Sequence, residues 1–329
     1  MIVPTRFKNY TLGRIDSDRV KGAEVGFTHI VEVSQFDRSD LEAIFHHAEF
    51  MRSLPRPGNR LPGRILATIF YEPSTRTRLS FESAMLRLGG SVITTENARE
   101  FSSAIKGETV EDTIRIVEGY ADAIVIRHYE QGAASRAAVV SSVPVLNAGD
   151  GPGEHPTQAL LDLYTMRHEL GRIDNLKVAL VGDLKYGRTA RSLALLLRET
   201  EGAEIFFVSP ESAPMGDDIR EALTAAGIPF HDETDLNAVL PNVDVVYQTR
   251  IQKERFESAE AYESAKGTYI ISQESMKRMR PDAILLHPLP RVDEIAVAVD
   301  ADPRAAYFRQ AHNGVFIRMA LLDLVMGGS

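Results

Sequence analysis

Short β-rich runs alternate with longer amphipathic segments through most of this sequence, and this order constrains the fold more than any other feature. The first β-rich run is ILATIF at 65–70, and the segment 77–88 that follows has its apolar residues at helical spacing. Strands that alternate with helices in this way build parallel sheets with helices on both faces. The alternation restarts near Leu176. We therefore predict an α/β fold of two doubly wound parallel-sheet domains, with the active site in the cleft between them.

The restart also predicts where the domains divide. A chain of 329 residues is long enough for two domains that each bury a core. Residues 1–23 are polar and are interpreted as an N-terminal extension, residues 24–154 as the first domain and residues 155–329 as the second. The last helix is predicted at about 312–326, and its apolar composition indicates that it packs back on the first domain.

Composition excludes several kinds of site. The chain has no cysteine, so disulfides, thiolate metal sites and cysteine nucleophiles are all excluded. No spaced set of histidines and carboxylates indicates a metal site, and we expect neither a metal nor a cofactor. The net charge of −9 argues against nucleic acid as a partner. Because we find no signal-peptide pattern and no apolar run of membrane-spanning length, we expect a cytoplasmic protein with no membrane partner.

Basic residues recur in the loops that follow the predicted strands. Ligands of doubly wound sheets bind beyond the carboxyl ends of the strands. Six of the seven loops at this position contain arginine or lysine. These loops are therefore candidates for anion sites, although the chain as a whole is acidic.

The segment FYEPSTRTRLSF lies where the first predicted strand gives way to a helix. Its hydroxyl groups and arginines are concentrated at the start of that helix, where free backbone N–H groups and the positive end of the helix dipole favour a phosphate. Arg76 is nearer the turn than Arg78 and is the better candidate to face the ligand. The alternative is that Ser74 or Thr75 only caps the helix and the arginines are solvated.

The pentapeptide STRTR in this segment closely resembles the carbamoyl-phosphate motif of the aspartate/ornithine carbamoyltransferase family. HPLPRVDEI at 287–295 is similar to the aspartate branch, because the ornithine branch typically has a cysteine in the corresponding HCLP motif and this chain has none. GDLKYGRT and TRIQKER are also similar to the aspartate branch. Arginine forks suit the two carboxylates of aspartate. The resemblance runs from about Gly26 to the C-terminus.

This resemblance implies an enzyme, a transferase that moves the carbamoyl group of carbamoyl phosphate to the α-amine of L-aspartate and releases phosphate. In the family this reaction is the committed step of pyrimidine (UMP) biosynthesis. The resemblance further implies a homotrimer with shared active sites, and it leaves open whether regulatory chains or a dihydroorotase partner join the trimer.

Three alternatives stay open at this point. The first is a carbamoyltransferase that acts on another amine, such as ornithine. The second is a P-loop-like NTPase, since GDLKYGRT differs from the nucleotide-binding motif GxxxxGK[ST] at one position, where Arg188 replaces lysine. The third is a non-catalytic relative that serves as a structural partner in an assembly.

The resemblance also implies roles for individual residues. Catalytic roles are expected for Arg76, Thr77, Lys106, Arg127 and His155. The residues expected to bind carbamoyl phosphate are Ser74, Thr75, Arg76, Thr77, Ser102, Lys106, Arg127, His155 and Gln158. The residues expected to bind aspartate are Lys106, Arg188, Arg250, Gln252, Pro288 and Leu289.

Some of these residues have simpler explanations. Ser102 and Lys106 are expected to come from a neighbouring subunit, but Lys106 by itself would be read as a solvated loop residue. A single histidine such as His155 is more often structural than catalytic. Arg250, at a strand end, could pair with Glu254 or Asp244.

Overall fold

The computed structural model describes residues 27–54, 58–98, 107–251 and 267–327. The strands within these ranges are β1 (Ile65–Phe70), β2 (Ser91–Glu96), β3 (Ala123–His128), β4 (Val145–Asp150), β5 (Lys177–Val181), β6 (Glu204–Val208), β7 (Phe230–Glu233), β8 (Val245–Gln248) and β9 (Ile284–Leu286). The helices are α1 (Arg38–Ser53), α2 (Thr75–Arg87), α3 (Val110–Val117), α4 (Ala133–Val140), α5 (Pro156–Leu170), α6 (Arg188–Leu196), α7 (Asp217–Ala225), α8 (Leu236–Val239), α9 (Gln273–Arg278) and α10 (Tyr307–Met326).

The strands form two sheets, and all neighbouring strands in them are parallel. The first sheet has the order β2-β1-β3-β4 and the second the order β7-β6-β5-β8-β9. In each sheet the chain moves outward in opposite directions from two adjacent strands, β1 and β3 in the first and β5 and β8 in the second. Ligands of doubly wound sheets bind at such a reversal. The predicted fold class is confirmed, and the loops after these four strands are the candidates for the site.

Among the features of the second half that differ from the sequence-based expectation are β7 and the start of the last helix. β7 was not predicted, because FHDE has no run of apolar residues and the strand lies half-exposed at the edge of its sheet. The last helix begins at Tyr307, not near His312. Its first turns contain the buried polar residues Gln310 and Asn313, which bind other buried polar groups and so interrupt the apolar pattern.

Helices α5 and α10 connect the parts of the molecule. α5 is buried along most of its length and packs against α6 and α10, while α10 also packs against α1 and α2. The largest hydrophobic cluster includes Leu66 and Val125 of the first sheet together with Leu180 and Phe207 of the second. The largest hydrophobic cluster therefore spans both sheets. The domain boundary between residues 154 and 155 stays a prediction.

No described helix combines the length and the apolar character that crossing a membrane requires. In the same part of the chain, no three or more histidine, aspartate or glutamate side chains are grouped so as to hold a metal ion.

Candidate active site

The start of α2 lies just beyond the carboxyl end of β1. Ser74 occupies the N-cap position, yet its side chain makes no capping hydrogen bond. The first-turn N–H groups of an α-helix have no partner within the helix, so this end can still receive an anion. Thr77 is buried, whereas Thr75 and Arg76 are exposed. The alternative that the Ser74 hydroxyl only caps the helix is therefore not what the structure shows.

The two arginines of the STRTR segment point to different surroundings. Arg78 Nη2 lies 2.9 Å from Glu96 Oε2, and Arg78 Nη1 lies 3.8 Å from Glu82 Oε1. These ion pairs direct Arg78 toward β2. Arg76 lies close enough to His287 for its charge to act on that imidazole. Arg76 therefore lies near the loop after β9, where the sequence predicts part of the aspartate site.

Arg127 and Arg188 meet at Gly149. Arg127 pairs in register with Phe70 near the end of β3, and its Nη1 donates to the Ala148 carbonyl at 3.3 Å. Arg188 is the first residue of α6, and its Nη1 donates to the Gly151 carbonyl at 2.7 Å. A Cβ atom on Gly149 would lie only 3.0 Å from Arg188 Cζ and 3.3 Å from Arg127 Nη1.

Glycine at position 149 is what allows this meeting. Its φ of 111° lies in a region that residues with a side chain rarely adopt. Two guanidinium groups this close repel each other, and Glu72 Oε2, 3.6 Å from Arg127 Nη2, offsets part of this repulsion. An anionic ligand at this point would relieve the repulsion.

His155 lies beside the two arginines. It is the N-cap residue of α5, only 4% of it is exposed, and its backbone N–H donates to Ser192 Oγ at 3.0 Å. Burial holds the pKa of His155 well below 6.5, and the positive charges of Arg188, Arg127 and Arg318 lower it further. The imidazole is therefore neutral at neutral pH. Its Nδ1 is buried and has no hydrogen-bond partner within the described residues, as expected for a group that binds a ligand.

Behind Gln158 lies a buried polar network that the sequence analysis did not identify. Asp162 accepts hydrogen bonds from Gln158 Nε2 at 2.8 Å, from Gln310 Nε2 at 2.6 Å and from the Tyr247 hydroxyl at 2.7 Å. Burial raises the pKa of Asp162 to about 7. The network ties the predicted carbamoyl ligand Gln158 to β8 and α10. One sequence signal was available: Asp162 interrupts an apolar run one helical turn after Gln158.

The loop after β9 carries Pro288 and Leu289, which are both half-buried. Leu289 has a φ of 55°, an uncommon value for a residue with a side chain. Burial lowers the pKa of the preceding His287; Glu294 opposes this effect, and the charges of Arg291 and Arg76 add to it. The influence of Arg76 indicates that this loop faces the start of α2. The phosphate-binding and acceptor-binding candidates thus lie near each other.

Arg250 follows β8 and is half-buried. Because β8 pairs with β5 in parallel, Arg250 lies at the same sheet edge as the loop that leads to Arg188. Asp244 precedes β8, at the end of the strand opposite to Arg250. Its carboxylate forms ion pairs at 3.2 Å with both Arg172 and Arg280. The suggested Arg250–Asp244 pair is therefore wrong.

The remaining predicted ligands lie outside the described residues. These are Ser102, Lys106 and Gln252, and the same is true of Glu254, the other suggested partner of Arg250. Their roles stay predictions.

Comparison with known proteins gives two adjacent family matches. Residues 28–168 match the family described as "Aspartate/ornithine carbamoyltransferase, carbamoyl-P binding domain", and residues 174–325 match "Aspartate/ornithine carbamoyltransferase, Asp/Orn binding domain". The chain belongs to the aspartate/ornithine carbamoyltransferase family. The resemblance inferred from STRTR and HPLPRVDEI is thereby confirmed.

Relatives within this carbamoyltransferase family are similar over almost the whole chain. The chloroplastic aspartate carbamoyltransferase of Arabidopsis thaliana is 59% identical over 303 residues, which cover 91% of this chain and 78% of the relative. Among solved structures, the catalytic subunit of M. jannaschii aspartate transcarbamoylase has a TM-score of 0.85 and 48% identity, covering 92% of this chain and 98% of that one. Aspartate transcarbamoylase from Trypanosoma cruzi, in complex with N-(phosphonacetyl)-L-aspartic acid, has a TM-score of 0.85 and 43% identity, covering 90% and 95%.

Proposed function

We propose that this protein transfers the carbamoyl group of carbamoyl phosphate to the α-amine of L-aspartate, giving N-carbamoyl-L-aspartate and phosphate. The observation that carries the proposal is the meeting of Arg127 and Arg188 at Gly149. Arg127 is a predicted carbamoyl-phosphate-binding residue from the first sheet, and Arg188 is a predicted aspartate-binding residue from the helix that follows β5. The similar proteins support it, since they are aspartate carbamoyltransferases by name. The product suits pyrimidine biosynthesis.

The phosphate of carbamoyl phosphate is assigned to the start of α2. Backbone N–H groups and the positive end of the helix dipole favour a dianion there. The hydroxyl groups of Ser74, Thr75 and Thr77 add hydrogen-bond donors, and Arg76 adds a charge-assisted one. A phosphate that becomes more negative as it leaves is stabilised by the same groups, so they assist departure as well as binding.

The carbonyl oxygen of the carbamoyl group is assigned to Thr77, Arg127 and His155. An oxyanion develops at this oxygen when the amine attacks, and fixed donors aimed at it lower the barrier by about 3 kcal/mol each. His155 is neutral, because burial and the neighbouring arginines depress its pKa. It can therefore donate one hydrogen bond without adding a third positive charge beside Arg127 and Arg188. Gln158, held by Asp162, is assigned to the carbamoyl amide.

Aspartate is assigned to the opposite side of the cleft. Arg188 and Arg250 suit its two carboxylates, and the backbone carbonyls of Pro288 and Leu289 suit the carbamoyl and amino groups. The neutral amine forms a C–N bond with the carbonyl carbon, the C–O bond to phosphate breaks, and the amine proton passes to the departing phosphate. No side chain forms a covalent intermediate. Holding two anions in attack geometry can supply on the order of 7–11 kcal/mol of the barrier.

The assembly and the location of the protein are further parts of the proposal. A homotrimer in which Ser102 and Lys106 of one chain complete the site of the next would add positive charge to a cleft that receives two anions. Regulatory chains or a dihydroorotase partner could associate with such a trimer. The expected location is the cytoplasm.

A direct assay tests the reaction. The purified protein is incubated with carbamoyl phosphate and either L-aspartate or L-ornithine, and the carbamoylated product is measured by a colorimetric ureido assay. Carbamoyl aspartate is the expected product. Carbamoyl ornithine alone would indicate the other branch of the family, and no product with either amine would contradict the proposed transferase.

A further inference from the structure

His287 lies at the centre of a hydrogen-bonded group just outside the proposed acceptor site. It follows β9 and is almost fully buried. Its backbone N–H donates to Gln310 Oε1 at 2.8 Å, its Nδ1 accepts the backbone N–H of Leu289 at 2.7 Å, and its Nε2 lies 2.7 Å from Glu294 Oε1. Both ring nitrogens and the backbone N–H of His287 therefore have hydrogen-bond partners.

The hydrogen bonds determine which ring nitrogen carries the proton. A backbone N–H can only donate, so the bond from Leu289 requires an unprotonated Nδ1. Nε2 must then hold the proton and donate it to Glu294. The other oxygen of Glu294 accepts the backbone N–H groups of Val292 at 3.1 Å and Asp293 at 3.2 Å. A carboxylate that accepts hydrogen bonds at both oxygens is stabilised in its ionised form.

The charged groups around the pair favour this arrangement. Burial lowers the pKa of His287, and of the charges near the ring, Glu294 opposes this effect while Arg291 and Arg76 reinforce it. Burial acts to raise the pKa of Glu294, but hydrogen bonds from His287 and the backbone prevail and lower it. At neutral pH the imidazole is neutral and the glutamate is ionised.

The Leu289 backbone needs such support. Its φ of 55° is unfavourable for a residue with a side chain, and such conformations persist only where surrounding contacts hold them. The hydrogen bond from the Leu289 N–H to His287 Nδ1 holds this amide. The carbonyls of Pro288 and Leu289, on either side of the same amide, are the groups assigned to the carbamoyl and amino groups of the substrates.

We infer that Glu294 and His287 are positioning residues for the transfer reaction. Glu294 fixes the imidazole as the Nε2–H tautomer. The unprotonated Nδ1 then accepts the Leu289 N–H, so that the backbone carbonyls of Pro288 and Leu289 point at the reacting groups. The inference rests on the proposed function, since it concerns the acceptor side of that same site. Neither side chain touches substrate in this scheme; both act through the backbone of residues 288–289.

The first measurement is made on the wild-type protein. In 15N-histidine-labelled protein, protonated and unprotonated ring nitrogens have different chemical shifts, and the signals of His287 are assigned by their loss in His287→Asn. The expected result is a protonated Nε2 and an unprotonated Nδ1. A proton on Nδ1 in the wild type would overturn the inference, whatever the variants do.

Glu294→Gln tests the role of the carboxylate. The backbone N–H groups of Val292 and Asp293 require an oxygen, so the new amide must turn its NH2 group toward His287 Nε2. The ring is then expected to move its proton to Nδ1, which opposes the Leu289 N–H. We expect kcat to fall on the order of 10- to 100-fold, the effect of misplaced groups in a site, while the affinity for carbamoyl phosphate is kept.

Variants at His287 separate positioning from packing. Asparagine can accept a hydrogen bond from the backbone N–H two residues later, so His287→Asn is expected to keep much of the kcat that His287→Leu loses. This pair also keeps the test decisive if Glu294→Gln does not fold. Equal kcat values for the asparagine and leucine variants would contradict the inference.

A second histidine–carboxylate pair in the chain provides the matched control. His47 Nε2 lies 2.7 Å from Asp323 Oδ2 between α1 and α10, and both residues are buried. Asp323→Asn should therefore lower stability without lowering kcat. If the wild type forms no carbamoyl aspartate, the proposed function fails and takes this inference with it. An active wild type combined with an unchanged kcat in Glu294→Gln overturns the inference alone.

Discussion

The hydroxyl of Ser192, on α6, accepts the backbone N–H of His155, the N-cap residue of α5, at 3.0 Å. Both residues are buried, so the bond joins the two halves of the chain at the point where the proposed oxyanion ligand is held. The structure thus gives Ser192 a supporting function that its sequence position in an apolar helix did not suggest.

Replacing Ser192 by alanine should reduce both stability and turnover. The His155 N–H would remain buried without an acceptor, which lowers the free energy of unfolding by about 1–3 kcal/mol. Because His155 also loses its anchor, we expect kcat to fall, as measured with both substrates saturating. Thr200→Val is the control, since the Thr200 hydroxyl is buried and donates to the Leu197 carbonyl at the far end of the same helical segment. If both variants lose stability but neither loses kcat, the anchoring role is wrong.

Gly149→Ala should disable the site. Its Cβ would lie 3.0 Å from Arg188 Cζ, so that the guanidinium must move, and the φ of 111° would be strained as well. We expect kcat/KM for aspartate to fall on the order of 100-fold, as a misplacement of site groups does.

The matched control for this variant is Gly171→Ala. Gly171 also has a positive φ, of 74°, but a Cβ there would meet nothing within 4 Å. The variant should lose about 1 kcal/mol of stability and keep its kinetic constants. Similar kinetics in both alanine variants would show that the approach of the arginines to Gly149 has no importance for activity.

Arg76→Ala and Arg250→Ala should affect different substrates. Loss of a charge-assisted hydrogen bond costs about 1.5–3 kcal/mol, roughly ten- to a hundredfold in binding. For Arg76→Ala we expect activity to be lost mainly through carbamoyl phosphate, and for Arg250→Ala through aspartate, as steady-state kinetics with each substrate varied would measure. Arg78→Ala is the control, because its ion pairs with Glu96 and Glu82 direct it elsewhere. Equal effects of the first two variants on both substrates would refute the assignment.

The shared site predicts complementation between inactive variants. When Arg76→Ala and Lys106→Ala chains exchange subunits, some sites combine an intact Arg76 with an intact Lys106 from the neighbour, and part of the activity should return. A mixture of Arg76→Ala and Arg127→Ala should stay inactive, since both residues are assigned to the same chain of each site. Verified exchange without recovery in the first mixture would argue against a contribution from the neighbour.

Asp162 should make stability depend on pH in a defined direction. Its pKa is raised from 3.8 to about 7 in the folded chain, chiefly by burial. The folded state therefore binds the proton more tightly than the unfolded state, so the stabilisation is complete below about pH 4 and is lost as the pH rises toward 7. Between these values the wild type should lose up to about 1.4 kcal/mol per pH unit relative to Asp162→Asn, as measured by urea unfolding. A difference that does not vary with pH would contradict the raised pKa.

Much of the fold follows from local patterns. ILATIF forms β1 and the apolar spacing after it forms α2, because strand and helix periodicity are properties of a few neighbouring residues. Local patterns do not reveal β7 or the start of α10 for the same reason: FHDE is an edge strand that pairs with β6, and the partners of buried Gln310, Asp162 and the His287 backbone, come from other segments.

The sequence by itself determined most of the order of strands and helices, the hydroxyl groups and arginines at the start of α2, and the family to which STRTR and HPLPRVDEI point. Only the tertiary structure decided that Arg127 and Arg188 meet at Gly149, that Ser192 holds His155, and that Glu294 fixes the ring of His287. The physical reason is distance along the chain. Helix and strand preferences act between near neighbours, whereas which loops face each other depends on strand pairing and helix packing between segments far apart in sequence.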